Sequence, residues 1–205
     1  MSEKEVLADL LSEISSDDTF YDVGANVGMY TCFVGQYIDS NHVFAFEPHP
    51  KNANRLNQNL TLNDISAKIK RHALSNKTGT AQLQVKESGE TGVGSHSLST
   101  DETVRNINIE TVRGDEIARK EQSPTVLKID VEGAEMDVLY GLEESISDCR
   151  VIYCEIHPDA LPDFGSQPED ILDYLEDNGF KTETTFEFGE SSSGYMVKAR
   201  KNGNE

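Results

Sequence analysis

Apolar residues along this chain switch between helical spacing and short solid runs. Leu7, Leu10, Leu11 and Ile14 fall at i, i+3, i+4 and i+7, which predicts an opening helix. Residues 19–23, TFYDV, form a compact apolar and aromatic run that predicts a strand. Gly24 to Gly28 break that run, and Tyr30, Phe33, Val34, Tyr37 and Ile38 return to helical spacing. A second strand is expected at 42–46, HVFAF, followed by a helix with Ala53, Leu56 and Leu60 inward. Further strands are expected at 68–72, 80–85 and 107–112, a short helix near 115–121, and a buried strand at 125–131. Gly133 opens a helix carrying Val138, Leu139 and Leu142, and 150–156, RVIYCEI, reads as the next strand. Ser166 and Glu169 have capping-box spacing ahead of a helix with Ile171, Leu172 and Leu175. FKTETTFEF, GESSSG and YMVKAR then read as a terminal antiparallel hairpin.

Strands alternating with helices predict an α/β fold, with a mostly parallel sheet and helices on both faces. No repeat, linker or second domain interrupts the pattern, so residues 1–205 are expected to form one domain. The segment 87–100 is rich in Gly, Ser and Thr and has no period; it reads as a mobile loop and a candidate substrate lid.

Charge changes the picture of partners. Lys and Arg number 18 against 37 Asp and Glu, a formal charge of −19. Such a field repels phosphate backbones and argues against nucleic-acid or anionic-membrane partners. Hydrophobic residues at 36% argue against disorder. The acidity fits either adaptation to high salt or an ordinary solvated acidic surface. Cys32, Cys149 and Cys154 form no C-x-x-C pair and suit no disulfide framework. The amphipathic, acidic N-terminus lacks a signal-peptide pattern, and no apolar run has the length of a membrane span, so a cytoplasmic location is expected.

In open α/β sheets, ligands bind beyond the carboxyl ends of the strands. Asp22-Val-Gly24-Ala25-Asn26-Val-Gly28 stands there after the first strand. It is not the dinucleotide fingerprint, because Asn26 and Met29 occupy two of the required glycine positions. The carboxylate of Asp22 would repel a pyrophosphate and suit a cationic ligand. Glu47 ends the second strand, where a carboxylate can accept two hydrogen bonds from a ribose diol. Together they describe a nucleoside with positive charge nearby and no diphosphate, as in S-adenosylmethionine. A plain strand–helix turn is the bland alternative. Lys128, Asp130 and Glu132 alternate onto one side of the strand end before Gly133 and Glu135. Acidic residues also favour helix N-termini, which accounts for Glu132 and Glu135 but not for Lys128 and Asp130. His157 follows Cys154-Glu155-Ile156; a surface histidine is the bland reading there.

DVGANVGMYT, FAFEPHPKNANRLNQNL, HALSNKTGTAQL, LKIDVEGAEMDVL and CEIHP resemble, in order and spacing, the FkbM family of S-adenosylmethionine-dependent methyltransferases over about residues 19–160. The resemblance implies the class I Rossmann-like methyltransferase fold, whose seven-stranded sheet has one antiparallel strand. It also implies O-methylation of a hydroxyl on a sugar, glycan or polyketide-type metabolite. Carried onto this chain, it places Asp22, Gly24, Ala25, Asn26 and Gly28 at the amino-acid and sulfonium end of the donor. Glu47 takes the ribose, Pro48, Ala73 and Leu74 lie near the adenine, and Asp130 lines the cleft. His157, Asp130 and Glu132 are the candidate bases, His157 foremost because imidazole titrates near neutrality. No resident metal is expected; the alternative is Mg²⁺ held by Asp130, Glu132 and His157. The competing functions are a catalytically silent nucleoside-binding domain, an NAD-dependent oxidoreductase and an RNA methyltransferase. The acceptor itself and the oligomeric state are not legible.

Overall fold

The short apolar runs become strands because their side chains are covered on both sheet faces. Four-residue strands β1 (Phe20–Val23), β2 (Val43–Phe46) and β7 (Val126–Ile129) are buried at every position. The structure, a computed structural model, describes residues 3–86, 104–187 and 194–203. The expected loop at 87–100 lies outside the described residues, as does most of GESSSG.

The main sheet also contains β3 (Lys68–Lys70), β8 (Val151–Ile156), β9 (Phe180–Glu187) and β10 (Tyr195–Lys201). Its seven strands run in the order β3-β2-β1-β7-β8-β10-β9. The pairs β1–β2, β1–β7, β2–β3 and β7–β8 are parallel. β10 lies antiparallel between β8 and β9. The order reverses between β1 and β7, so a crevice is expected at their carboxyl ends. This is the Rossmann-like methyltransferase architecture with its C-terminal antiparallel hairpin.

Helices α1 (Glu3–Glu13), α2 (Met29–Val34), α3 (Pro50–Leu62), α4 (Gly114–Lys120), α5 (Glu135–Gly141) and α6 (Pro168–Asp177) complete the described elements that matter for the site. One core joins Phe44, Phe46, Leu127 and Ile129 of the sheet to Leu139 of α5 and Ile171 of α6. Another sets Leu7 and Leu10 of α1 and Val34 of α2 against Phe20, Val126 and Tyr153. Burying apolar surface is worth roughly 25 cal/mol per Å² removed from water, which favours packing these two layers on the sheet.

Three local expectations change. α2 stops at Val34, where Gly35 caps it and packs on Ile65; Tyr37, expected on the same helix, is 58% exposed. The expected strand at 68–72 is β3 alone; the chain then enters β4 (Ala73–Ser75), which joins β5 (Gly79–Lys86) and β6 (Val104–Arg113) in a separate sheet of order β4-β6-β5. α6 begins one residue later than Ser166 implies: Gln167 is its N-cap, Pro168 opens it, and the Asp170 carboxylate accepts the Gln167 N–H at 2.7 Å.

Candidate active site

The turn from β1 to α2 is held left-handed at three points: Gly24 (φ 77°), Asn26 (φ 51°) and Gly28 (φ 84°). The Gly24 and Ala25 N–H groups both donate to the Phe46 carbonyl at 3.0 Å, which ties this turn to the end of β2. Gly24 has a second reason to lack a side chain: a Cβ there would sit 1.8 Å from the Asp130 carbonyl oxygen. The β1–α2 turn and the end of β7 are therefore in backbone contact. Gly28 similarly leaves room for Leu56 of α3.

Asp22 is fully buried at the base of this turn. Its Oδ2 accepts from the Thr31 N–H at 3.0 Å and the Thr31 hydroxyl at 2.5 Å, while Oδ1 has no hydrogen-bond partner among the described residues. Strand register sets Asp22 opposite Lys128 on β7, and Lys128 Nζ lies 3.8 Å from Asp22 Oδ1 and 3.0 Å from Asp130 Oδ2. Burial pushes the Asp22 carboxyl above its ordinary range, with Lys128 and Thr31 pulling the other way. For Lys128 burial alone would lower the ammonium, but Asp130 and Asp22 more than reverse that and raise it.

Glu47, just past β2, is 5% exposed. Its Oε2 accepts the Asn26 N–H at 2.8 Å and its Oε1 the His49 N–H at 2.7 Å. An ionised carboxylate offers about four lone-pair sites, so a vicinal diol can still be received. Burial raises the Glu47 carboxyl to about 7, against the two amides that lower it. Pro48 is half-buried and leads into α3, with His49 as its N-cap. On β4, Ala73 is half-buried, whereas the Leu74 side chain belongs to the core.

S-adenosylmethionine fits these residues. Asp22 Oδ1 and Asn26 Oδ1 are buried acceptors without hydrogen-bond donors among the described residues, suited to a cationic group, and Glu47, once ionised, keeps lone pairs for hydroxyls beyond its two amide donors.

The ends of β7 and β8 bring Asp130, Glu132, Glu155 and His157 together. His157, 6% exposed, has Nδ1 2.7 Å from Glu135 Oε1. Its Nε2 is 3.3 Å from Glu155 Oε1, 3.7 Å from Glu132 Oε2 and 3.9 Å from Asp130 Oδ1. Burial alone would favour neutral imidazole, yet the hydrogen bonds its ring donates to Glu135 and Glu155 and the nearby carboxylates outweigh it and raise His157 to about 11. The sequence suggests a histidine that titrates near neutrality; the surrounding carboxylates favour its protonated ring and oppose its use as a free base. Glu155 and Glu135 were not singled out as partners of His157. Strand alternation does set residues 155 and 157 on one side, and that signal was available. Thr31, the partner of Asp22, carries no such signal because its contact depends on the turn geometry.

The family model for the methyltransferase FkbM domain matches residues 22–182. The chain is 31% identical over 185 residues to hexuronic acid methyltransferase AglP of Haloferax volcanii, covering 89% of this chain and 72% of that protein. The crystal structure of an FkbM methyltransferase from Methylobacillus flagellatus superposes with a TM-score of 0.60 at 14% identity, over 91% of this chain and 44% of that one. Magnesium protoporphyrin IX methyltransferase of Synechocystis PCC 6803, solved with S-adenosylmethionine bound, gives a TM-score of 0.60 at 12% identity, over 97% of this chain and 77% of that one. At these identities the two structures speak for the fold alone. The family match over most of the chain and the relative at 31% identity agree: the chain belongs to the FkbM family of S-adenosylmethionine-dependent methyltransferases.

Proposed function

We propose that this protein transfers a methyl group from S-adenosylmethionine to an oxygen of a sugar acceptor, most simply a hydroxyl. One structural observation carries the reading. The Asp130 carbonyl packs on the donor turn at Gly24, while the Asp130 side chain stands 3.9 Å from His157. Donor and polar acceptor groups thus share one strand end. Its likeness to a hexuronic acid methyltransferase supports a sugar as the acceptor class.

When bound, S-adenosylmethionine supplies a methyl on an already activated leaving group, so the protein chiefly aligns two reactants. Asp22 and Asn26 hold the cationic amino-acid end, with Gly24, Ala25 and Gly28 shaping the turn around it. Glu47 orients the ribose, and Pro48 with the Ala73–Leu74 segment borders the adenine. Asp130 lines the cleft between donor and acceptor. Glu132 takes the hydroxyl proton, and His157 orients the acceptor. The chain acts on a soluble or glycan-borne acceptor without nucleic acid, in the cytoplasm. Among the described residues no helix is long and apolar enough to cross a membrane.

A second reading draws on the imidazolium and on the relative's name. A hexuronic acid carries a carboxylate, and a carboxylate acceptor needs no base. The product separates the two. Incubation with S-adenosylmethionine and uronic acid glycosides should give a methylated sugar that survives mild alkali if a hydroxyl was methylated. An alkali-labile product marks a methyl ester, and no methylated sugar with any acceptor would contradict both.

A further inference from the structure

We propose that Asp130, Glu155 and His157 form a binding site for one divalent cation, which holds the acceptor oxygen beside the donor. The site rests on this chain's own residues; only its role depends on the methyltransferase reading above.

The three side chains come from adjacent strand ends: Asp130 follows β7, Glu155 lies in β8, and His157 follows β8. One donor atom of each lies within 4.8 Å of the others. The measured separations from His157 Nε2 are 3.3 Å to Glu155 and 3.9 Å to Asp130. Two ligands at about 2.1 Å from an ion stand about 3 Å apart when cis and about 4.2 Å when trans. Small side-chain rotations therefore close the shell.

Two further observations point to a cation. Glu135, fully buried behind the ring, pairs with Nδ1, and its Oε2 has no hydrogen-bond partner among the described residues. A buried carboxylate on one ring nitrogen directs the other outward, the arrangement that commonly supports a metal-bound histidine. Charge points the same way: the carboxyl groups of Asp22, Asp130, Glu132, Glu135 and Glu155 crowd around Lys128 and His157, and a divalent cation that displaces the single Nε2 proton of His157 would add net positive charge to this set. Two carboxylates and one imidazole suit Mg²⁺ or Mn²⁺, with remaining positions open to water and acceptor. A cation there would lower the pKa of a bound hydroxyl, which a carboxylate base such as Glu132 cannot deprotonate easily unaided, or would receive a uronic carboxylate directly. The set differs from the sequence expectation in one ligand: Glu155 replaces Glu132.

The test is Mn²⁺ titration of the full chain, followed by electron paramagnetic resonance in about 1 M KCl, where diffuse binding to the acidic surface is screened. One saturable Mn²⁺ per chain is expected, competed by Mg²⁺. Glu155→Gln and His157→Gln should each weaken it at least roughly tenfold. S-adenosylhomocysteine affinity, measured on the same samples, should stay at the wild-type level and shows that each variant is folded. Absence of saturable Mn²⁺ binding, or equal binding by wild type and both variants, overturns the site. Mn²⁺ binding without S-adenosylhomocysteine binding keeps the site and overturns the donor reading instead.

Discussion

Glu47 is the residue on which the donor reading turns. Two backbone amides hold its oxygens in place, and burial raises its carboxyl to about 7. In the folded, empty protein this favours the neutral form. Its contribution to stability is present below the unfolded value and is lost as pH rises through the folded one. Ligand binding runs the opposite way, because ribose hydroxyls donate best to the ionised form. Affinity for S-adenosylhomocysteine should therefore fall roughly tenfold from pH 8 to pH 6 in wild type, and the slope should vanish in Glu47→Gln. Calorimetry across that range checks this. His157 sits at the other end of the cleft. His157→Gln should leave donor affinity nearly unchanged while turnover falls by about 10²–10⁴, the scale of a group acting on the acceptor. Normal turnover by that variant on a true acceptor would return His157 to a structural role. Asp130→Asn should weaken both, since its carboxylate pairs with Lys128, which faces Asp22 at the base of the turn.

At the scale of elements, the site depends on close backbone approaches that only glycine permits. Gly24→Ala would drive a Cβ into the Asp130 carbonyl at a left-handed position, moving β7 away from the turn. Gly141, at the end of α5, leaves no room either: a Cβ would stand 2.2 Å from the Ser75 carbonyl of β4. Gly141→Ala should lower the melting temperature by several degrees, about 1–3 kcal/mol for overpacking, as read by circular dichroism. Unchanged melting would show that α5 shifts without cost. These contacts also mark the limit of what the sequence discloses. Period and turn residues place β1, β2, β7 and β8 and the carboxylates at their ends. They do not reveal that 68–72 divides between two sheets, because Lys68–Lys70 and Ala73–Ser75 are each only three residues long and partly exposed. Nor do they reveal that α2 ends at Val34, since Ile38 is buried at helical spacing without being helical. The protonation of His157 depends on Glu135, 22 residues away along the chain, and is set by tertiary packing alone.

For the whole molecule, −19 is the dominant physical fact. Self-repulsion opposes the compact state at low salt, and about 1 M salt shortens the Debye length to about 3 Å. Opposite charges are concentrated where α1 meets the sheet: Lys198 pairs with Asp9 and Glu13, and Arg150 with Asp18 and Glu13. Lys198 is 3% exposed, so its pairs are screened less than the surface repulsion. The melting temperature should therefore rise steadily between about 0.1 and 2 M KCl. A flat or falling curve would remove the high-salt reading and leave the enzyme reading intact. The donor site itself is tested most directly by calorimetric titration of wild type and Glu47→Ala with S-adenosylhomocysteine. One site per chain is expected in wild type, weakened roughly 10- to 100-fold in the variant, the worth of hydrogen bonds to a charged acceptor. Equal affinities would contradict the placement of Glu47, and binding of NAD with none of the thioether would contradict the methyl-donor site altogether.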